Sequence, residues 1–232
     1  MAYFLVIAAS SGIGQATVSL LKAAGHSVFT TAQDNSKITP DVILDATDFD
    51  AVESVFKLAG DLDGVVNCSG SLLLKPAHLT SKEQYRAVVD ASLTTAFATV
   101  RAAGRHMGKG GSVVLVSSAA AMEGLANHEA IAAAKAGVLG LTLSAAATYA
   151  PINLRVNSVA PGLTETPLTA ALTGNPTSRK FSEAMHALGR LGQPEDVARA
   201  IVFLLDPQNS WITGQVLAVD GGLSRVRPKA KA

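Results

Sequence analysis

One cysteine, one tryptophan and 5% aromatic residues leave this 232-residue chain without several common devices. Cys68 alone can build neither an internal disulfide framework nor a cysteine-rich metal site. Charge is scarce as well: 16% of positions are charged, and 19 Lys+Arg against 18 Asp+Glu leave a net charge of +1. Such a surface offers no footprint for nucleic acid or an anionic membrane. No apolar run approaches the roughly 20 residues of a membrane span. The apolar opening at 3–9 lacks a basic leader and runs into a glycine turn, so it reads as the buried strand of a cytoplasmic protein.

What remains is 48% apolar residue, which excludes disorder and fits one compact domain over 1–224. Short β-rich apolar runs at 4–8, 27–31, 42–44, 64–66, 112–116, 154–158 and 215–219 alternate with alanine- and leucine-rich stretches at 13–24, 49–58, 81–107, 130–149 and 194–205. That alternation predicts an α/β fold, a parallel sheet with helices on both faces. The stretch between Thr31 and Val42 is too short for a crossover helix and reads as loop. Segment 164–189, interrupted by Pro167, Gly174 and Pro176 and studded with Leu168, Leu172, Phe181, Met185 and Leu188, reads as a lid over an apolar ligand. The basic tail 225–232 reads as a disordered, solvated end.

Ser10, Ser11, Gly12, Ile13 and Gly14 join the first strand to the first helix, where free amide N–H groups and the helix dipole meet phosphate. Ser-Ser-Gly-Ile-Gly at 10–14, Leu44-Asp45, Asn-Cys-Ser-Gly at 67–70, Val-Ser-Ser at 116–118, Lys135, Arg-Val-Asn-Ser-Val-Ala-Pro-Gly at 155–162, Gly-Arg-Leu-Gly-Gln-Pro-Glu-Asp at 189–196 and Asp-Gly-Gly at 220–222 follow in order. In that order the chain resembles the short-chain dehydrogenase/reductase family over about residues 3–224. The resemblance implies a single-domain, doubly wound Rossmann-like sheet of about seven strands that holds NAD(H) or NADP(H).

By this resemblance Asp45 binds the adenine edge, Asn67 and Gly70 line the cofactor near its ribose, and Pro161, Gly162 and Thr164 or Thr166 hold the nicotinamide amide. Asn67 and Asp220 read equally as turn or strand-end caps. Two departures bear on the cofactor. Ala8 stands where the family has its first glycine, and Ala32 and Gln33 stand where it usually has an acid for the adenosine ribose diol. With that acid gone, and Ser10, Thr31 and Gln33 as neutral donors, the chain leans to NADP(H) over NAD(H).

The family transfers hydride with a tyrosine acid/base, a lysine four residues later, a serine and an asparagine. Lys135 and Ser118 match the lysine and serine, but Ile131 takes the tyrosine position and Ser92 the asparagine position. Isoleucine cannot donate or relay a proton. His128, three residues before Ile131, is a substitute donor that shares its helix face if the helix has begun there; His186 in the lid is a second candidate. Three readings stay open: an oxidoreductase on a small or medium carbonyl or alcohol, a non-catalytic nucleotide-binding scaffold or sensor, and a non-redox lyase or isomerase. The small-residue helices at 81–107 and 130–149 add the expectation of a homotetramer or homodimer, with no nucleic acid or membrane partner.

Overall fold

The computed structural model describes residues 1–228. Its centre is a seven-stranded, wholly parallel sheet in the order β3-β2-β1-β4-β5-β6-β7. The strands are β1 (Tyr3–Ile7), β2 (Ser27–Ala32), β3 (Val42–Ile43), β4 (Gly64–Asn67), β5 (Gly111–Val116), β6 (Leu154–Pro161) and β7 (Val216–Val219). The order reverses between β1 and β4, so the connections leave in opposite directions and open a crevice at the carboxyl ends of these strands.

Period-2 alternation sends each strand's side chains to two cores. Leu5, Ile7, Val65, Val113 and Leu115 pack against α2 (Phe49–Ala59), α4 (Thr95–His106) and α5 (Glu129–Tyr149). Phe4, Val6, Val66 and Val114 pack against α1 (Gly12–Ala23) and α8 (Pro194–Leu205). The buried Arg155 guanidinium donates to the carbonyls of Leu204, Asp206 and Ile212 at 3.0–3.2 Å, satisfying acceptors left open where α8 ends.

The 81–107 stretch is not one regular helix. It runs as α3 (Lys82–Val89), a π-helical turn (Asp90–Thr94) and α4. Within it the Thr94 hydroxyl bonds Asp90 Oδ1 and the Thr95 hydroxyl bonds the Ala91 carbonyl, side-chain bonds that compete with a regular ladder. The turn buries Ser92 with its Oγ unpartnered. Residues 164–189 hold α6 (Ala170–Thr173) and α7 (Pro176–Met185), the second tied through Arg179 to Glu165, with a further pair to Glu183 one turn on in the same helix.

Two further expectations change. Arg227 donates to Glu123 at 2.8 Å and to the Leu223 and Val226 carbonyls, so the tail is tied down as far as that residue; residues 229–232 lie outside those described. Glu129–Ile152, 24 residues whose most apolar 18-residue window has a mean hydropathy of 1.6, does meet the length and composition of a membrane span, although 44% of that window is buried inside the fold.

The β1–α1 turn is the tightest point near the crevice. A methyl on Gly14 would lie 2.5 Å from the Ala8 carbonyl oxygen, so only glycine fits there. Ala8 itself sits at φ 56°, a left-handed conformation that disfavours a Cβ. Ala8→Gly is expected to raise stability by about 1 kcal/mol, read as a shift in urea midpoint at unchanged slope. An unchanged or lowered midpoint would show that the turn carries no strain.

Candidate active site

The crevice opens into a cavity of about 1050 Å³. Ser10, Ser11, Gly12 and Ile13 line one end with Gln33 and Asp45; Gly70, Ser118 and Lys135 line the middle; Pro161, Gly162, Thr164 and Thr166 close it from the β6 side. Gly14 and Asn67 do not line it. Gly14 lies behind the turn, where its amide donates to Ser11 Oγ at 3.1 Å. Asn67 is 3% exposed and fully engaged, donating from Nδ2 to Thr99 Oγ1 at 2.9 Å and accepting at Oδ1 from the Ser69 amide at 2.8 Å. These two bonds hold the end of β4, as a strand-end cap does. Asp220 likewise caps its own turn, accepting from the Gly222 amide and from the amide and hydroxyl of Ser224.

Lys135 organises the middle of the site. Its Nζ donates to the Val116 carbonyl at 2.7 Å and the Ser69 carbonyl at 3.4 Å, and the Ser117 hydroxyl donates back to the Lys135 carbonyl at 2.8 Å. Burial pulls the ammonium down to about 8, opposed by the adjacent Cys68. Burial pushes the Cys68 thiol up to about 12, opposed by Lys135, so it stays a packed thiol. Ser118 caps a short 3-10 turn, Ala119–Ala121, by accepting from the Ala120 amide at 3.1 Å, which leaves its own proton to give. The hydroxyl and amide of Thr47 hold the Asp45 carboxyl below the usual carboxylate range.

Ile131 lies one helical turn before Lys135 on α5, lines the cavity, and packs with Val88, Ala130 and Ala134 at 4% exposure. His128 is not on the helix but is its N-cap, so it shares no helical face with Ile131. Its ring still lines the cavity, with Nδ1 donating to the Ala126 carbonyl at 2.7 Å. His186 is buried with both ring nitrogens bonded, to the Ser182 carbonyl and the Leu163 amide, and has no free proton position for a substrate.

Two groups of lining residues were not among those expected. Lys37, the single cation of the loop between β2 and β3, lines the end of the cavity that holds Gln33; a search for any cation after β2, rather than an arginine, would have found it. Leu72, Leu74 and Leu125 meet Leu172, Phe181 and Met185 of the lid segment to form an apolar end. Two buried hydroxyl oxygens in the lining, Thr31 Oγ1 and Ser71 Oγ, have no hydrogen-bond partner among the described residues.

Lys135 has a folded-state pKa below its unfolded value, so between pH 8 and 10.5 the unfolded chain holds the proton that the native one has released. Stability should therefore rise with pH across that window, by on the order of 3 kcal/mol. The rise is expected in urea melts of the wild type and not in Lys135→Met; parallel pH profiles for the two proteins would contradict the depressed pKa.

Residues 7–224 match the family model described as enoyl-(acyl carrier protein) reductase. Cis-4-hydroxycyclohexanecarboxylate dehydrogenase of Sinomonas cyclohexanicum is 39% identical over 96% of each chain. A short-chain type dehydrogenase/reductase from Mycobacterium ulcerans superposes with a TM-score of 0.90 at 32% identity, over 96% of this chain and 90% of that one. ElxO with NADP bound superposes at 0.88 and 27% identity over 96% of this chain and 99% of that one, as does its tyrosine-to-phenylalanine variant with NADPH bound. A parallel sheet that reverses at a glycine turn, a buried lysine at its mouth and matches of this length lead to one assignment: the chain belongs to the short-chain dehydrogenase/reductase family.

Proposed function

We propose that the chain is a cytoplasmic NADP(H)-dependent oxidoreductase for an uncharged, mainly apolar carbonyl or alcohol, working without the family's tyrosine. The observation that carries this reading is a single cavity joining the glycine turn, the Lys135–Ser118 pair and an apolar wall. Its volume of about 1050 Å³ reaches the top of the roughly 300–1,000 Å³ range of small-molecule sites, room for a cofactor with a ligand beside it.

The lining fits the cofactor. Gly12 and Gly70 leave the backbone open, and the orphaned hydroxyls of Thr31 and Ser71 gain partners from a bound polar ligand. Lys37 with Ser10 and Gln33 suits a 2′-phosphate, while the nearby Asp34 carboxylate is taken up by the amide and hydroxyl of Ser36. When bound, the nicotinamide supplies or accepts the hydride. Ser118 holds the substrate oxygen through its free proton, and the Lys135 ammonium sets the local positive charge. Nδ1 of His128 is committed to Ala126, so Nε2 is the atom that gives or takes the substrate proton.

The substrate class follows from charge. Lys37 is at the Gln33 end and Lys135 is engaged with two carbonyls, so a carboxylate among Leu72, Leu74, Leu172 and Phe181 would meet no free lysine or arginine among the described lining residues. A neutral ligand is favoured, unlike the carboxylate named for the Sinomonas relative. Phe181 and Met185 are 68% and 37% exposed and wait for apolar cover. The packing of Ile131 against Val88 supports the non-catalytic alternative, in which the same cavity binds NADP(H) without turnover.

Calorimetric titration is expected to give tighter binding of NADPH than NADH, with Lys37→Ala costing NADPH about tenfold and leaving NADH unchanged. No binding of either would sink the cofactor site, and equal losses would remove the phosphate role of Lys37. Oxidation of reduced cofactor with a panel of neutral ketones should fall about 10²–10⁴-fold in His128→Ala and rise in Ile131→Tyr. Binding without turnover in all three proteins would favour the scaffold.

We also propose a homodimer or homotetramer built on α5, whose exposed Ala133, Ala136, Gly140, Leu143 and Ala147 carry no charge. Light scattering at micromolar concentration should give a multiple of the 23.7 kDa chain; a monomer mass would refute it.

A further inference from the structure

His186 caps the end of α7 and is 4% exposed. Nδ1 lies 2.6 Å from the Ser182 carbonyl, which can only accept, so Nδ1 carries the proton. Nε2 lies 3.2 Å from the Leu163 amide, which can only donate, so Nε2 is bare. One neutral tautomer satisfies both bonds. The ring is also the reason for glycine at 162: a methyl there would lie 2.7 Å from Nε2 and 3.0 Å from the Asp220 Cα, so the turn after β6 is wedged between the histidine and the β7 turn. Around the ring the chain is bonded in both directions. The Gly162 amide donates to Val219, the Gly192 amide to Leu163, and the Leu188 amide to Gly221.

We propose that His186 is a positioning residue that latches the end of the lid to the Pro161-Gly162-Leu163 turn and so sets the shape of the cavity wall facing the nicotinamide end of a bound cofactor. The proposal rests on the reading of this cavity as a nicotinamide site. Ser182 fixes the ring, the ring accepts the Leu163 amide, and the lid segment and the turn move as one piece. Without the acceptor, the part-buried Leu163 amide loses its partner and the turn loosens. The adenosine end, built from the β1–α1 turn and the loop after β2, shares none of these bonds.

Three proteins decide it: wild type, His186→Leu, which keeps bulk and loses the acceptor, and His186→Gln, whose side-chain oxygen can take the place of Nε2. Hydrogen exchange at the Leu163 amide should be slow in wild type and the glutamine variant and at least about tenfold faster in His186→Leu. NADPH affinity should fall about tenfold in His186→Leu and recover in His186→Gln, while the affinity for adenosine 2′,5′-bisphosphate stays the same in all three. A protected Leu163 amide in His186→Leu overturns the latch. So does a parallel loss of NADPH and adenosine bisphosphate binding, which would mark a general structural role. If wild type binds neither ligand, the cofactor reading fails instead, and the exchange rates alone decide whether the latch exists.

Discussion

A buried ammonium held by two main-chain carbonyls is the interaction on which the site depends. Lys135 reaches from α5 to the carbonyls of Val116, the last residue of β5, and Ser69, two residues past the end of β4. The Ser117 hydroxyl closes the loop back to the helix. Two strands and one helix are thereby fixed around one cation, and Ser118, just past the end of β5, is carried to the cavity wall. The cost is a desolvated charge, visible as the lowered pKa, offset in part by the two carbonyl acceptors.

Much of the architecture was legible because it follows from local patterns. Alternation in segments such as Leu5-Val6-Ile7 and Val113-Val114-Leu115 dictates two cores and hence two helical layers. The glycine turn and Ser118 were legible because each follows the end of a strand, and Lys135 because it stands at a fixed spacing within a helical, alanine-rich run. Less legible were side chains whose direction depends on neighbours distant in sequence. Asn67 turned inward because Thr99, 32 residues away, offers its hydroxyl. Lys37 faces the cavity because of the path of a loop that no hydrophobic period records. His128 fell just outside α5, and a shift of one residue in a helix start decides whether a side chain shares a helical face.

The lid shows how an exposed surface and a buried contact can serve one site. Arg179, paired with Glu165 and Glu183, anchors its outer side, and His186 anchors its inner side. Between these anchors Leu168, Phe181 and Met185 remain more than a third exposed although they also line the cavity. Their apolar area is the part of the molecule with the most to gain from a ligand of matching chemistry.

The π turn at Asp90–Thr94 sets the phase of everything after it. A π turn holds one residue more than the regular spiral would, and one residue is about 100° of helical rotation. α3 therefore directs Val88 towards α5, while α4, continuing the same run of chain, directs Ala98, Ala102 and Ala103 onto the sheet. An insertion or deletion of a single residue here would not read as a loop-length change. It would turn one helix against the other, carrying Phe97 and Arg101 away from Phe49 and separating the wall of the cavity from the core that supports it.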